Sequence, residues 1–224
     1  MKNHHFDIPE IDDNREYDYS KNESQIRAEY EYIIDFVKPS SKVIDLGCGN
    51  GSLLELLRES KQVIPYGIEL SESGVELCIK KNLKVTHGRI DTKLDFEDNF
   101  FDYAICNVTM QMVMYPEVLI SEMKRVAKYL IISFPNFAFY KNRIELFFNG
   151  KMPTSMLFGY SWYSTGHIHQ FSIKDFLALV NSSSDLEIIE HKFVKQSSEI
   201  KNLLMSIFPN LFQHIPIFLL ETKK

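Results

Sequence analysis

Apolar residues along this chain follow two alternating rhythms, short runs of β-branched and aromatic residues and longer stretches with helical spacing. Ile26, Tyr30, Ile33, Ile34 and Val37 recur at the i, i+4, i+7, i+8 and i+11 steps of one helix face. Asn22 or Ser24 can cap that helix, and Lys38-Pro39 ends it. Lys42–Leu46 then reads as a first strand, and Ser52 to about Ser60 as the helix after it. The pattern repeats with a strand at Val63–Leu70, a helix from Ser71 to Lys81 and a short strand from Leu83 to His87. Phe101–Asn107 is a fourth strand. Pro116 opens a helix carrying Val118, Leu119, Met123 and Val126 on one side. Tyr129–Phe134, apolar without interruption, has the look of a buried parallel strand. Five strands alternating with helices predict an α/β fold with a doubly wound, mostly parallel sheet in a three-layer sandwich.

The rhythm loosens after Phe134. Residues 137–170 concentrate aromatics (Phe137, Phe139, Tyr140, Phe147, Phe148, Phe158, Tyr160, Trp162, Tyr163) among Gly150, Pro153, Gly159 and Gly166. An insertion there, beyond the end of a central strand, is either a cap over a substrate or a surface excursion burying its own rings. Phe171–Val180 returns to helix. Leu186–Val194 and Ile215–Glu221 read as two late strands, which predicts an antiparallel pair closing one sheet edge. Residues 1–22 hold Asp7, Glu10, Asp12, Asp13, Glu16 and Asp18 without apolar periodicity, the signature of a loosely docked acidic tail. Tyr17 and Tyr19 within it can serve as a lid. The remainder, 23–224, is expected to be a single domain with its cap insertion at about 137–170.

Composition narrows the class. The 224 residues are 45% hydrophobic and 25% charged, with a formal net charge of −5, which gives no footprint for nucleic acid. Three cysteines, Cys48, Cys78 and Cys106, lack disulfide or metal spacing and point to free thiols in a reducing compartment. No apolar run reaches the length of a membrane span, so no membrane partner is expected and the cytoplasm is the expected location.

The candidate chemistry lies in Val43-Ile44-Asp45-Leu46-Gly47-Cys48-Gly49-Asn50-Gly51, a strand running into an acid and three alternate glycines before a helix. A dinucleotide fingerprint requires a third glycine or alanine where Ser52 stands, and Asp45 at the strand tip would repel a pyrophosphate. The acid instead favours a ligand bearing an ammonium or a sulfonium. This D-x-G-x-G-x-G is similar to the first motif of class I S-adenosylmethionine-dependent methyltransferases. Glu69 closes the second strand, where an acid can accept both ribose hydroxyls; it can also be a helix-start acid before Ser71-Glu72. Leu70 can pack on an adenine face. Ile90-Asp91 follows the third strand, with Asp91 able to accept from an exocyclic amine. Asn107 to Gln111 lie at the edge where ligands collect in open α/β sheets.

Beyond the glycine turn, Gly67-Ile68-Glu69, Phe101-Asp102, Ser133-Phe134-Pro135-Asn136-Phe137, Lys151-Met152-Pro153 and Trp162-Tyr163 through His167-Ile168-His169 occur in order. Together they resemble the methionine-biosynthesis protein MetW family over about residues 35–221. The resemblance implies a class I methyltransferase (Rossmann-like) fold and S-adenosylmethionine as cofactor. It implies Asp45, Gly47, Gly49 and Gly51 around the methionine moiety, Glu69 at the ribose and Asp91 near the adenine; Cys48, Asn50, Leu70, Ile90, Asn107 and Gln111, at the same turn and strand ends, complete the candidate cofactor site. It also implies an association with a homoserine O-acyltransferase. One departure is Arg89-Ile90-Asp91 where the family pattern has D-L-D.

Methyl transfer from a sulfonium is an in-line displacement that needs mainly alignment, so no dedicated catalytic side chain has to be visible, and none is singled out. Asn136, Trp162, Tyr163, His167 and His169 are candidate contacts for a small-molecule methyl acceptor. The two histidines equally suit a structural role in the cap, and H-x-H without a third ligand defines no metal site. The leading reading is an S-adenosylmethionine-dependent methyltransferase, monomeric or homodimeric. The second is a non-catalytic S-adenosylmethionine-binding partner subunit of the acyltransferase. Oxidoreduction with NAD is disfavoured by Ser52 and Asp45.

Overall fold

The structure, a computed structural model, describes residues 19, 26–154, 162 and 166–223. β-Branched and aromatic runs form a seven-stranded sheet. Its strands are β1 (Lys42–Leu46), β2 (Ile64–Glu69), β3 (Lys84–His87), β4 (Phe101–Asn107), β5 (Ala127–Ser133), β6 (Leu186–Phe193) and β7 (Pro216–Thr222). Their order is β3-β2-β1-β4-β5-β7-β6. The first five are parallel, and β7 runs antiparallel to both β5 and β6, as the late pair predicted. This is the class I methyltransferase, Rossmann-like architecture.

Both faces of the central strands are apolar because each is covered by helices. On one face Ile44, Ala104, Leu130, Ile132, Phe218 and Leu220 pack under α4 (Pro116–Val126) and α6 (Ile173–Ser182) through Leu119, Met123 and Phe176. On the other, Val43, Ile105, Ile131, Ile217 and Leu219 meet Ile33 and Phe36 of α1 (Tyr30–Phe36) and Leu53 and Leu57 of α2 (Ser52–Lys61). Phe134 follows the end of β5, fully buried among Phe171, Phe176 and Phe218. Local signals set several boundaries. Ser71 accepts from the Gly74 amide to cap α3 (Glu72–Lys80), Pro116 opens α4, and Ser172 and Asp175 make a reciprocal capping box on α6.

Two expectations differ from the structure. The first helix starts at Tyr30, not at residue 22 or 24: residues 26–29 form a turn, with the Tyr30 amide donating to the Arg27 carbonyl at 3.1 Å. Ile26, taken from its spacing as part of the buried face, is 76% exposed. A helix through this stretch would compete with the placement of Glu29, whose buried carboxylate is drawn to Asn107 at the sheet edge. The second concerns the insertion. Its helix α5 (Tyr140–Asn149) leaves Phe147 and Phe148 82% and 75% exposed, Phe139 and Tyr140 are half-buried against His214 and Phe212, and Phe158, Tyr160 and Tyr163 lie outside the described residues. The residues between β6 and β7 form α7 (Glu199–Ile207) and the single turn α8 (Pro209–Phe212). Among the described residues no helix is long and apolar enough to cross a membrane.

Phe134→Ala removes the ring that joins β7, α6 and Phe171. It is expected to lower the unfolding free energy by about 3–5 kcal/mol, read from the urea midpoint at unchanged slope.

Candidate functional site

Strand order reverses between β1 and β4, and the crevice at that switch point, outside the strands' carboxyl ends, is where open α/β sheets hold ligands. The chain leaves β1 through Gly47, Gly49 and Gly51, with φ of 84°, 57° and 74°. Left-handed backbone at three alternate positions makes a turn that L side chains would strain. Space adds to the demand at Gly47, where a Cβ would come within 2.6 Å of Thr109 Cγ2. The Gly47 amide donates to Ile68 O at 2.8 Å, which seats the turn on β2. Asn50 Oδ1 accepts from the Ser52 amide at the start of α2. Beneath the turn, Cys78 Sγ donates to Gly49 O at 3.4 Å, and contact with Cys78 together with burial pushes the Cys48 thiol up.

Glu69 stands across the crevice. Its two oxygens accept from the Gly49 amide at 2.6 Å and the Ser71 amide at 2.8 Å, so it bridges the glycine turn and the start of α3. Tyr19 lies over the same place: its amide donates to Ser73 Oγ at 3.0 Å, and its hydroxyl oxygen is 3.2 Å from where a Gly49 Cβ would be. Of the two tyrosines proposed as a lid, Tyr19 therefore reaches the turn, and Tyr17 lies outside the described residues. Leu70 is half-buried at the edge of the crevice, and its carbonyl accepts from His87 Nε2 at 2.7 Å.

Asp45 projects from the tip of β1, 3% exposed, and its Oδ1 has no hydrogen-bond partner. Burial pushes its carboxyl up to about 7, the Glu69 charge adds to the rise, and the Arg27 charge opposes it. A buried carboxylate with an unused acceptor is costly unless a cation meets it. Asp45, Glu69 and Glu29, all buried, line this edge against one described cation, Arg27. A cationic ligand with hydroxyls, resting on bare backbone, therefore fits the residues present.

The remaining candidates separate into groups. Ile90 belongs to the core under the sheet, together with Ile44, Leu46 and Ile68. Asp91 spends its carboxylate on protein donors. Arg89 grips both oxygens at 3.0 and 2.7 Å, and the Met114 and Tyr115 amides reach Oδ2 at 2.9 and 3.1 Å. It thereby fixes the turn before α4. Asn107, at the tip of β4, accepts from Ser133 Oγ at 2.5 Å and donates to Glu29 at 3.3 Å. The next residue, Val108, has φ of 53°, a strained state for a β-branched side chain at the lip of the crevice. Gln111 is 1% exposed, and its carbonyl accepts from the His169 amide. That bond, with His169 Nε2 donating to Met114 O at 3.4 Å, draws the H-x-H segment to the β4 edge. His167 is half-buried two residues earlier. Asn136 is fully buried and donates to the carbonyls of Asn210 and Gln213, a tie between β5 and α8. Trp162 is 69% exposed, and Tyr163 lies outside the described residues.

Arg27, Glu29 and Tyr30 also belong to this edge, and the pattern of the sequence did not single them out. Burial raises the Tyr30 phenol, the Arg27 charge opposes the rise and the Asp45 charge adds to it, while the ring packs in the apolar layer with Ile33 and Leu53. The available signal was the Arg27-x-Glu29 pair, which on a helix is an ordinary solvated face.

The family model described as methionine biosynthesis protein MetW matches residues 27–220. The chain belongs to that family. A bifunctional methionine biosynthesis protein MetXA/MetW of Rhodopirellula baltica is 34% identical over 178 residues, 73% of this chain and 28% of that protein. A demethylmenaquinone methyltransferase of Staphylococcus aureus is 33% identical over 132 residues, 52% of this chain and 54% of the other. This MetW-family chain thus spans between about a quarter and about half the length of these curated relatives. Among solved structures, it is similar to a SAM-dependent methyltransferase and possible histamine N-methyltransferase of Thermotoga maritima. The TM-score is 0.60 at 20% identity, over 88% of each chain. A Pyrococcus horikoshii protein reaches a TM-score of 0.62 at 18% identity, over 96% of each. At these identities the likeness is one of fold.

Because the folded state holds the Asp45 proton more tightly than the unfolded chain, its contribution to stability is complete below about pH 4 and lost as pH rises to about 7. Asp45→Asn removes that titration. The stability of the variant relative to the native chain should rise between about pH 4 and pH 7 and level off above, by urea unfolding across that range; a flat or falling difference contradicts the assignment.

Proposed function

We propose that this chain binds S-adenosylmethionine at the β1–β4 switch point and transfers its methyl group to a small molecule. The observation that carries the reading is the unpartnered, buried Asp45 Oδ1 beside a turn whose three glycines expose backbone. An ammonium at Asp45 would supply the missing donor and offset the cost of the buried charge. Glu69 closes β2 at the crevice and accepts from the Gly49 and Ser71 amides, and an acid at that strand end suits ribose hydroxyls. Leu70 is placed to pack on the base. Asp91 acts at one remove, by holding residues 113–115 in place.

The cofactor, when bound, supplies an electrophilic methyl carbon on a good leaving group. The protein's part is alignment and exclusion of water, worth roughly 7–11 kcal/mol for well-oriented reactants. Tyr19 over the glycine turn, and the His167–His169 segment tied to Gln111, cover the crevice from two sides. Of the candidate acceptor contacts, His169 meets Gln111, a candidate of the cofactor site, at that edge, while Asn136 organises β5 against α8.

A second reading has its own support. The Rhodopirellula relative is named for MetXA and MetW together, which favours a role as the cofactor-binding partner of a homoserine O-acyltransferase. Its discriminating outcome is co-purification with that enzyme in the absence of methyl transfer.

S-adenosylmethionine at one hundred times its Kd should stabilise the chain by about 2.7 kcal/mol, seen as a rise in Tm, while NAD leaves Tm unchanged. Asp45→Asn should weaken binding roughly tenfold or more at pH 8 by calorimetry. No heat from S-adenosylmethionine or S-adenosylhomocysteine would end the proposal.

A further inference from the structure

Three helices beyond the ends of β5 and β6 are almost unburied. α5 has ten residues and buries only Asn142, α7 has nine and buries only Met205, and the single turn α8 buries none. Short helices draw most of their stability from packing an apolar face, and these two longer ones carry such faces. Tyr140, Ile144, Phe147 and Phe148 recur at i, i+4, i+7 and i+8 along α5, and Ile200, Leu203 and Ile207 at i, i+3 and i+7 along α7. Tyr140 is half-buried, and the others are exposed, from Ile144 at 51% to Phe147 at 82%.

Ring contacts join the helices into one surface. Phe208, between α7 and α8 and itself exposed, meets Phe212 of α8 with ring centroids 6.5 Å apart, and Phe212 meets Tyr140 of α5 at 5.7 Å. Asn136, shortly before α5, donates to the Asn210 and Gln213 carbonyls and ties the same pieces together. The two exposed phenylalanines of α5 and the aliphatic side chains beside them offer roughly 800 Å² of apolar area, above what a monomer ordinarily leaves in one patch and about one partner's share of a standard interface.

Charge points to the occupant. Lys141 and Arg143 stand in the N-terminal half of α5, which has no acid in its first turn and no base in its last, the reverse of what the helix dipole favours. Arg143 turns back on its own chain, its Nε donating to Ala138 O at 2.6 Å, while Lys141 is exposed. A second α5 lying antiparallel to the first corrects the mismatch. Each Lys141 then falls beside the other copy's C-terminal turn, where the negative end of the dipole and the rings of Phe147 and Phe148 both attract a cation. A lipid surface fits less well, because a chain of net charge −5 is repelled by anionic bilayers. We propose that the face built by α5, α7 and α8 docks a second copy of this chain, in a twofold dimer with the two α5 helices antiparallel at its centre. Such an isologous pairing uses the same patch twice and closes on itself.

The test is sedimentation velocity on the full chain, with circular dichroism to check that each variant folds. The native chain should be dimeric at roughly 50 μM. Phe147→Glu should raise the dimer Kd about 30-fold or more, and Ile200→Glu, at the far end of the face, roughly tenfold. Lys141→Glu should raise it about 3–10-fold, whereas Lys141→Arg should change it less than about twofold. Ile144→Cys, at the middle of α5, should cross-link to its twin under diamide, while Ile79→Cys on α3, equally exposed to solvent, should not. A native chain that stays monomeric overturns the inference, including one that instead sediments with phosphatidylglycerol vesicles or with a homoserine O-acyltransferase, since the face then belongs to that occupant. A dimer that survives both Phe147→Glu and Ile200→Glu also overturns it, and a dimer in which Ile144→Cys does not cross-link overturns the antiparallel pairing. If Phe147→Glu fails to fold, Ile200→Glu and the cross-link decide.

Discussion

Glu69 accepts from the Gly49 amide and the Ser71 amide at once, and the candidate site is built around that bracket. A carboxylate this deeply buried would be costly alone. Two backbone donors, each to its own oxygen, offset the lost hydration and turn Glu69 into a clamp between the β1 turn and α3. Everything nearby then has a reason to be small. Gly74 leaves no room for a Cβ, which would come within 2.8 Å of Gly49 O and 3.0 Å of Glu69 Cγ. Gly67 does the same for Cys48 Sγ, at 2.7 Å. The turn is held closely from below and from the side, so its backbone can face a ligand without moving.

The same edge concentrates features that work against stability. Asp45 is buried with an unused acceptor, Val108 is strained, and three carboxylates share one described cation. The apolar layers on both sheet faces supply the rigidity to hold them, because strands packed on two sides cannot relax toward water. Concentrated strain and unpaired charge at a topological switch point are what a site prepared for a cationic ligand requires. The arrangement supports cofactor binding whether the chain transfers methyl groups or informs a partner of cofactor supply.

Much of this was legible in the order of residues. Alternating apolar runs and helical faces announced β1 to β5 and their helices, with most boundaries within two residues, since burial on both sides imposes continuous apolar strands. The glycine turn was legible because positive φ at three alternate positions leaves few other residues. The start of α1 was not. Arg27, Glu29 and Tyr30 continue a helical pattern, and only the pull of Asn107, far along the chain, explains why residues 26–29 turn instead. Asp91 was expected to accept from an exocyclic amine, but its four bonds to Arg89, Met114 and Tyr115 depend on where the chain returns.

By itself, the sequence determined the fold class, the position of the glycine turn and the acids at the tips of β1 and β2, because those follow from local period and backbone permissiveness. Only the tertiary structure decided which of those acids is left without a partner and which is consumed by protein donors. Satisfaction of a buried polar group is a property of all the chain segments that meet there, and no single stretch carries it.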